Sequence, residues 1–548
     1  MAEMTGGEAV AATLARLGVR HVFGIVSVHN LPTFDALSLR DDIEVVTVRH
    51  EQAAAHAADA YSRATGELSV VLTSTGPGAA NAVAGLYEAG FVSSKVLMVT
   101  GQIESRFYGK GKGFLHEHER QVDMLRSVCR RVDSVRFTEE ISRVVAAVAD
   151  DIRTGRPQPG AVEIPIDLQY RVAEVELFGE PDVPRLQPDP ASIADAVAML
   201  ESAERPLIWA GGGVNIAGAS AELTALAERL NAPVLTTIEG RGAIDETHRL
   251  SLGFRSDRSS MTEIIDECDV MLAVGTRFQN YATRVWTLDL PRQLIHLDAD
   301  PGVIGLNYPA AIPIVGDALV GVSQILDGIG STVTDEGFVD RARKVKAADE
   351  DLVREEIGPD HAEIVSVIRR LLPPEGRIAR DSTVPNYLWG NRLLPIVAPR
   401  TSIRAASSAI GPGLPHGIGA AVGSGEPTIV IQGDGGFMLS IGELVTAAEH
   451  NLPVIVCVFN DQGYGVLRVI QDQVLGHRHG TDLHTPDFVT VADGMGVASE
   501  RVVGIEQFEP AFARALDRSG PTLLDIDMHS LSPLTFALPA HQRRKEDR

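Results

Sequence analysis

The chain has 548 residues, 44% hydrophobic and 22% charged, the balance of folded soluble domains and unlike that of a disordered chain. Lys plus Arg number 49 against 73 Asp plus Glu, and the resulting net charge of −24 repels phosphate backbones and anionic lipid, which argues against nucleic-acid and membrane partners. The length predicts roughly three to four domains of ordinary size.

Cys129, Cys268 and Cys457 stand far apart with no CxxC pair and no Cys/His ligand spacing, which predicts a reducing, cytoplasmic setting without structural zinc. The opening MAEMTGGEAVAATLARLG carries an early Glu and helical apolar spacing instead of a basic region and an apolar core, so no signal peptide is expected. No apolar run reaches the roughly 18 residues a membrane span needs, since even 405–425 is interrupted by Pro412, Pro415 and His416.

In chain order, β-branched runs at Glu44 to Val48, Ser69 to Thr73, Lys95 to Thr100 and Ala161 to Pro165 alternate with helical stretches, the rhythm of a parallel α/β sheet. Glu51 follows the first run and opens an Ala-rich helix. A carboxylate buried there needs a partner, while a Glu in a helix's first turn also simply favours the dipole. A Pro-rich stretch over about 174–192 reads as a linker, placing the first domain at 1–175. A second α/β unit, 190–330, has strands at Pro206 to Trp209, Pro233 to Thr236, Val270 to Val274 and Gln293 to Leu297. Charged helical text from about 336 to 360 reads as a solvated connector, and the terminal HQRRKEDR as a solvated tail. The third domain, 360–535, has strands at Thr428 to Gln432, Val454 to Phe459 and Thr522 to Asp527, and no internal sequence repeat is evident.

The most informative segment lies in that third domain. One strand ends in Gly433-Asp434-Gly435-Gly436, a helix follows, and the next strand ends in Asn460-Asp461-Gln462-Gly463. Parallel strands bring both ends to one carboxyl edge, where doubly wound sheets bind ligands. Asp434, Asn460 and a backbone carbonyl then form a hard-oxygen set suited to Mg²⁺, and the glycines allow close approach of a diphosphate.

The GDG turn, the 24 residues between Gly435 and Asn460, and Gly463 resemble the metal-diphosphate motif of thiamine-diphosphate-dependent enzymes. VVTVRHEQAAAHAADAYSRATG with the later Thr73 to Asn81 turn resembles the pyrimidine-binding domain of that family, and SSAIGPGLPHGIGAAVG the segment beneath the cofactor's bend. IWAGGGVNIAG, DVMLAVGTRF and IHLDADPGVIGLN resemble the central domain of acetolactate synthase and oxalyl-CoA decarboxylase. The likeness covers essentially the whole chain and is nearest to acetolactate-synthase-like enzymes.

The resemblance implies three doubly wound parallel-sheet α/β domains, in the order pyrimidine-binding, central and diphosphate-binding, with thiamine diphosphate and Mg²⁺ as cofactors. It implies Asp434, Asn460 and Gln462 as metal ligands, and Gly433, Gly435, Gly436, Gly463, Tyr464, Ser382 and Thr383 around the diphosphate. Pro77 and Asn81 join the cofactor site from the first domain. The Ser408 carbonyl accepts from the aminopyrimidine, Ile410 holds the cofactor bent, and Glu51 hydrogen-bonds the pyrimidine ring that removes the thiazolium proton. FAD or ADP in the central domain is an expectation of the same kind, although Gly211-Gly212-Gly213 is a weak signal and GFRSDRSS departs from the loop expected under a flavin.

The implied reaction breaks the bond beside the ketone of a 2-keto acid and ligates the fragment to a second carbonyl. Substrate positions fit less well. GIVSVHN replaces the usual Pro-Gly loop, and Asn280 and Tyr281 stand where synthases carry an Arg. YGVLRVI looks more like benzoylformate decarboxylase, and GFLHEHERQVDML, residues 113–125, stands where synthases carry Phe-Gln-Glu; its His116, Glu117 and His118 are candidates for proton transfer, His116 and Glu117 first, and read equally well as exposed loop residues. Rival readings are a non-ligating 2-keto acid decarboxylase, an acyl-CoA decarboxylase or lyase, a cofactor-binding regulatory subunit, and a nicotinamide dehydrogenase. His416 reads more readily as an interface residue than a substrate contact. The family also implies a homodimer or homotetramer, because the pyrimidine and diphosphate domains that share a cofactor come from different subunits.

Overall fold

The computed structural model describes residues 1–179, 184–330, 334–538 and 543. The expected terminal tail lies almost wholly outside them. Three six-stranded sheets, each parallel throughout, are flanked by helices. The first runs Glu44–Thr47, His21–Gly24, Ser69–Thr73, Val96–Gln102, Gly160–Pro165, Arg131–Ser134 from edge to edge. The last runs Ser402–Arg404, Arg377–Arg380, Thr428–Gly433, Val454–Asn460, Thr522–Asp527, Ala498–Val502. Numbered within its own sheet, each has the strand order 2-1-3-4-6-5, so a topological repeat exists where the sequence shows none. Their central strands are buried on both faces, which explains their unbroken apolar text.

The middle sheet differs. Its order, Ser251–Gly253, Val234–Thr236, Pro206–Ala210, Val270–Val274, Gln293–Asp298, Ile312–Val315, is 3-2-1-4-5-6, the arrangement that opens a ligand crevice where the chain reverses direction across the sheet. A short antiparallel pair, Ala2–Thr5 with Val172–Val175, closes the first domain and takes up the start of the expected linker.

The charged connector is corrected by the structure. It is part of a helix, Glu336–Leu371, broken at Gly358 (φ 75°) before Pro359. Its Phe338, Val339, Ala342 and Val353 are buried, and buried Asp349 binds Arg255 at 3.1 Å and Arg258 at 2.8 Å. The segment reads as solvated because its charges outnumber its apolar residues, while one face is core.

Helix Glu51–Thr65 of the first domain lies against helix Gly413–Ser424 of the third. Small residues on both sides make this seam: a Cβ added at Gly419 would stand 1.9 Å from the Ala57 carbonyl oxygen. His416 is fully buried there, its Nε2 3.3 Å from Asp59 Oδ2, with the His56 ring at 5.3 Å. This is the interface role expected for His416. Burial and the neighbouring His416 push His56 down to about 3, so His56 is uncharged near neutrality. Among the described residues no helix is long and apolar enough to cross a membrane. The three cysteines are free and buried, and burial pushes Cys129 and Cys457 up to about 12.

Candidate active site

At the carboxyl edge of the first sheet, Glu51 begins its helix directly after His50, whose Nδ1 accepts from the Gln52 N–H at 3.1 Å. Glu51 is half-buried, and its Oε2 accepts from Asn81 Nδ2 at 3.0 Å. The sequence-predicted Pro77 occupies the first turn of helix Pro77–Val92 behind Gly76, whose φ of 58° favours glycine. Gln121, which sequence reasoning missed, holds that turn. Its Oε1 accepts from Gly76 N–H at 2.8 Å and the Thr75 hydroxyl at 2.9 Å, while its Nε2 donates to buried Glu163 at 2.8 Å.

His116 sits in left-handed backbone (φ 65°) with its carbonyl against Gly76, and its ring is 5.1 Å from that of His29. His29 was missed in the sequence because a lone His in an apolar loop carries no pattern. The Nδ1 atoms of both rings are buried and have no hydrogen-bond partner. Burial and His116 hold His29 below its ordinary pKa. Glu117 closes a turn, its Oε2 accepting from Phe114 N–H at 2.9 Å, while its buried Oε1 lacks a partner.

At the carboxyl edge of the third sheet, Asp434 is fully buried and both of its carboxylate oxygens lack a hydrogen-bond partner. Burial and the neighbouring Asp461 push it up to about 7. Two orphaned oxygens in such a place call for a cation or a proton. Asn460 ends the adjacent strand, its Nδ2 donating to Asp525 at 3.0 Å and its Oδ1 accepting from Gln462 N–H at 3.2 Å. Gln462 has φ 62°, and its carbonyl already accepts from Leu483 N–H at 3.2 Å and from Arg468 at 2.5 Å, so ligation by that oxygen displaces a donor. Arg468 was not anticipated. It also donates to the Asp461 carbonyl at 2.6 Å, fastening the loop from its far side.

Glycines line the rest. A Cβ at Gly435 would lie 2.6 Å from the Tyr464 ring, and one at Gly463 would lie 2.2 Å from the Thr481 carbonyl. Gly433 faces Thr383 Oγ1, and Gly436 faces Asp381. Ser382 Oγ donates to the Ala409 carbonyl at 3.0 Å. Ser408 adopts φ 65°, and Ile410 leaves 40% of its surface exposed beside it. Among the described residues no three His, Cys, Asp or Glu side chains group as a metal site. A centre here therefore draws on Asp434, amide oxygens and the ligand's own oxygens, a donor set that suits Mg²⁺ better than zinc. The orphaned carboxylate and the glycine cradle fit a metal-bound diphosphate.

A cavity of about 790 Å³ lies at the reversal point of the middle sheet. It is lined by Gly212 and Gly275, by Lys95 and Arg156 from the first domain, and by Arg404 and Ala406 from the third. Asp298 ends a strand at its wall, and burial pushes it up to about 6. Tyr281 stacks on Phe254 at 5.8 Å.

Two like-wound outer domains around a nucleotide-type middle domain, with a metal-ready edge, define a thiamine pyrophosphate enzyme. Family models agree domain by domain: the N-terminal TPP binding domain matches 4–124, the central domain 193–325 and the C-terminal TPP binding domain 385–526. The chain is 32% identical to a probable acetolactate synthase large subunit of Methanocaldococcus jannaschii, over 98% of this chain and 94% of that one. It is 30% identical to the acetolactate synthase isozyme 3 large subunit of Escherichia coli, over 94% and 93% of the two chains. It is also 30% identical to an acetolactate synthase of Arthrospira platensis, over 95% and 94%. The chain belongs to the acetolactate-synthase-like family of thiamine pyrophosphate enzymes.

Proposed function

We propose that this enzyme cleaves a 2-keto acid with loss of CO₂ and ligates the remaining fragment to a second carbonyl, giving a 2-hydroxy ketone or acid, as the names of its relatives suggest. The observation that carries this reading is Asp434, buried with two unpaired oxygens at the strand end where a metal-bound diphosphate belongs. Asp434 and Asn460, with Gln462 completing the set, hold Mg²⁺. Gly433, Gly435, Gly436, Gly463, Tyr464, Ser382 and Thr383 surround the diphosphate. Bound thiamine diphosphate supplies the nucleophilic carbon and the electron sink.

Glu51 holds a proton at its carboxylate against the pyrimidine ring, and Asn81 fixes the direction of that carboxylate. Pro77, the Ser408 carbonyl and the Ile410 side chain would hold the organic part of that cofactor. His116 and Glu117 move a proton at the substrate end, where His29 faces His116. Glu51's described partner lies in its own domain, in accord with a homodimer or homotetramer in which a second copy completes each site. The central cavity takes FAD or ADP, its basic side chains meeting phosphate and its strand-end glycines admitting the backbone. A cytoplasmic location accords with three free cysteines.

A second reading, decarboxylation without ligation, is favoured by the buried, unpaired Nδ1 atoms of His29 and His116 at the substrate end. Purified enzyme with thiamine diphosphate and Mg²⁺, given pyruvate, 2-ketobutyrate or benzoylformate, separates the two by mass spectrometry of the products. Acetolactate from pyruvate supports ligation, and aldehyde alone supports the second reading. Consumption of none of them, with cofactor bound, moves the substrate to an acyl-CoA or a hydroxyketone.

A further inference from the structure

The stretch 406–412, which carries Ser408 and Ile410 and leads into helix Gly413–Ser424, is irregular and holds a residue in a costly conformation. Ser408 is not glycine yet has φ 65°, a left-handed geometry that an L side chain adopts only at a cost. Such strain persists only where the surroundings over-determine it. Two buried carboxylates do so here, one at each end of the stretch.

Downstream, Asp381 accepts from Gly411 N–H at 2.9 Å, Gly413 N–H at 3.0 Å, Ser382 N–H at 2.6 Å and Gln432 Nε2 at 2.6 Å. Upstream, the carboxylate comes from another domain. Glu88, near the end of helix Pro77–Val92 and 1% exposed, accepts from Ala406 N–H at 2.6 Å and Ser407 N–H at 3.2 Å. It also accepts from the Ser407 hydroxyl. Arg63, from the same domain, donates to the Arg404 carbonyl at 2.7 Å. No chemistry assigned above uses Glu88. Its three donors all belong to the two residues that precede Ser408.

We propose that Glu88 is a positioning residue of the cofactor site: by gripping the Ala406 and Ser407 N–H groups it sets Ser408 and Ile410 against the bend of thiamine diphosphate. This rests on the function proposed above. Glu88 touches neither the cofactor nor the substrate and acts through the backbone of the third domain. The platform under the cofactor is thereby set by the first domain of the same chain. The cost of burying a carboxylate is offset by two adjacent N–H groups and a hydroxyl, which a neutral amide cannot match, because its NH₂ would face a donor.

The test is Glu88→Gln in the full-length enzyme, with thiamine diphosphate and Mg²⁺ titrated into the apoprotein. Affinity for the cofactor is expected to fall about ten- to a hundredfold, the usual effect of breaking hydrogen bonds to a charged group. Turnover at saturating cofactor falls far less. Amide exchange at Ala406 and Ser407 quickens in the apoprotein while Gly411 and Gly413, held by Asp381, stay protected. A folded variant with unchanged affinity and unchanged exchange at 406–407 overturns the proposal, as does a loss of turnover with no loss of affinity. If Glu88→Gln does not fold, Ser407→Ala removes one donor of the three and is expected to weaken cofactor binding roughly two- to fivefold. No change there overturns the assignment equally. Wild-type enzyme that binds no thiamine diphosphate removes the functional reading itself, an outcome distinct from wild-type binding that Glu88→Gln leaves intact.

Discussion

The first and third sheets have one strand order and opposite chemistry at their carboxyl edges. On the first, Glu51 is half-buried and satisfied by Asn81. On the third, Asp434 is fully buried and satisfied by nothing. Winding decides where a ligand can sit, and two or three strand-end residues decide what it is. A carboxylate with a neutral partner remains free to share a proton. One with no partner and a second acid beside it calls for a cation or a proton.

The sharpest way to break this contrast is to neutralise each carboxylate and compare what is lost. Glu51→Gln is expected to lower turnover about 10²- to 10⁴-fold, the range for general acid–base groups, while cofactor titration stays near wild type. Asp434→Asn is expected to do the reverse at the binding step. Cofactor affinity in Mg²⁺ should fall by at least about 100-fold, since even the partners of metal ligands are worth 10- to 100-fold. Chelator treatment of wild type followed by dialysis should reproduce that loss, and added Mg²⁺ should restore it. Equal effects of both substitutions on binding would erase the division of labour.

The seam between the two domains offers a smaller and purely structural test. Gly419→Ala places a methyl group against the Ala57 carbonyl and is expected to cost about 3 kcal/mol, read as a lower urea midpoint. The middle sheet supplies the contrast in pH. Asp298 is raised from 3.8 to about 6, so the native state binds its proton more tightly than the unfolded chain does. Its ionisation therefore lowers stability as pH rises from about 4 to 6, and the penalty is fully present above that window. Asp298→Asn, which keeps an acceptor for the Asp300 N–H, should gain about 3 kcal/mol at pH 7.5 and little at pH 3.5. A gain of equal size at both pH values would show that ionisation is not its source.

Much of this was legible in the sequence where the signal is local. The buried strands announce themselves by continuous β-branched text, and Asp434 and Asn460 by glycines beside apolar runs. Short edge strands such as Ser402–Arg404 and Arg131–Ser134 were not legible, because three or four residues do not make a pattern. Helix Glu336–Leu371 was misread because charge counts report composition and not the face a helix buries. Glu88 and Asp381 escaped for a different reason. Their partners lie up to 319 and 51 positions away in the chain, respectively, and only folding brings them together.

The glycine seam also limits how such an enzyme can be inherited. Because the Ala57 carbonyl occupies the space a Cβ at Gly419 would need, the outer domains are matched like a lock cut for one key. Recombination that imports one domain from a distant relative brings in a helix shaped for another surface. Functional chimeras will therefore exchange the middle domain alone, or both outer domains together.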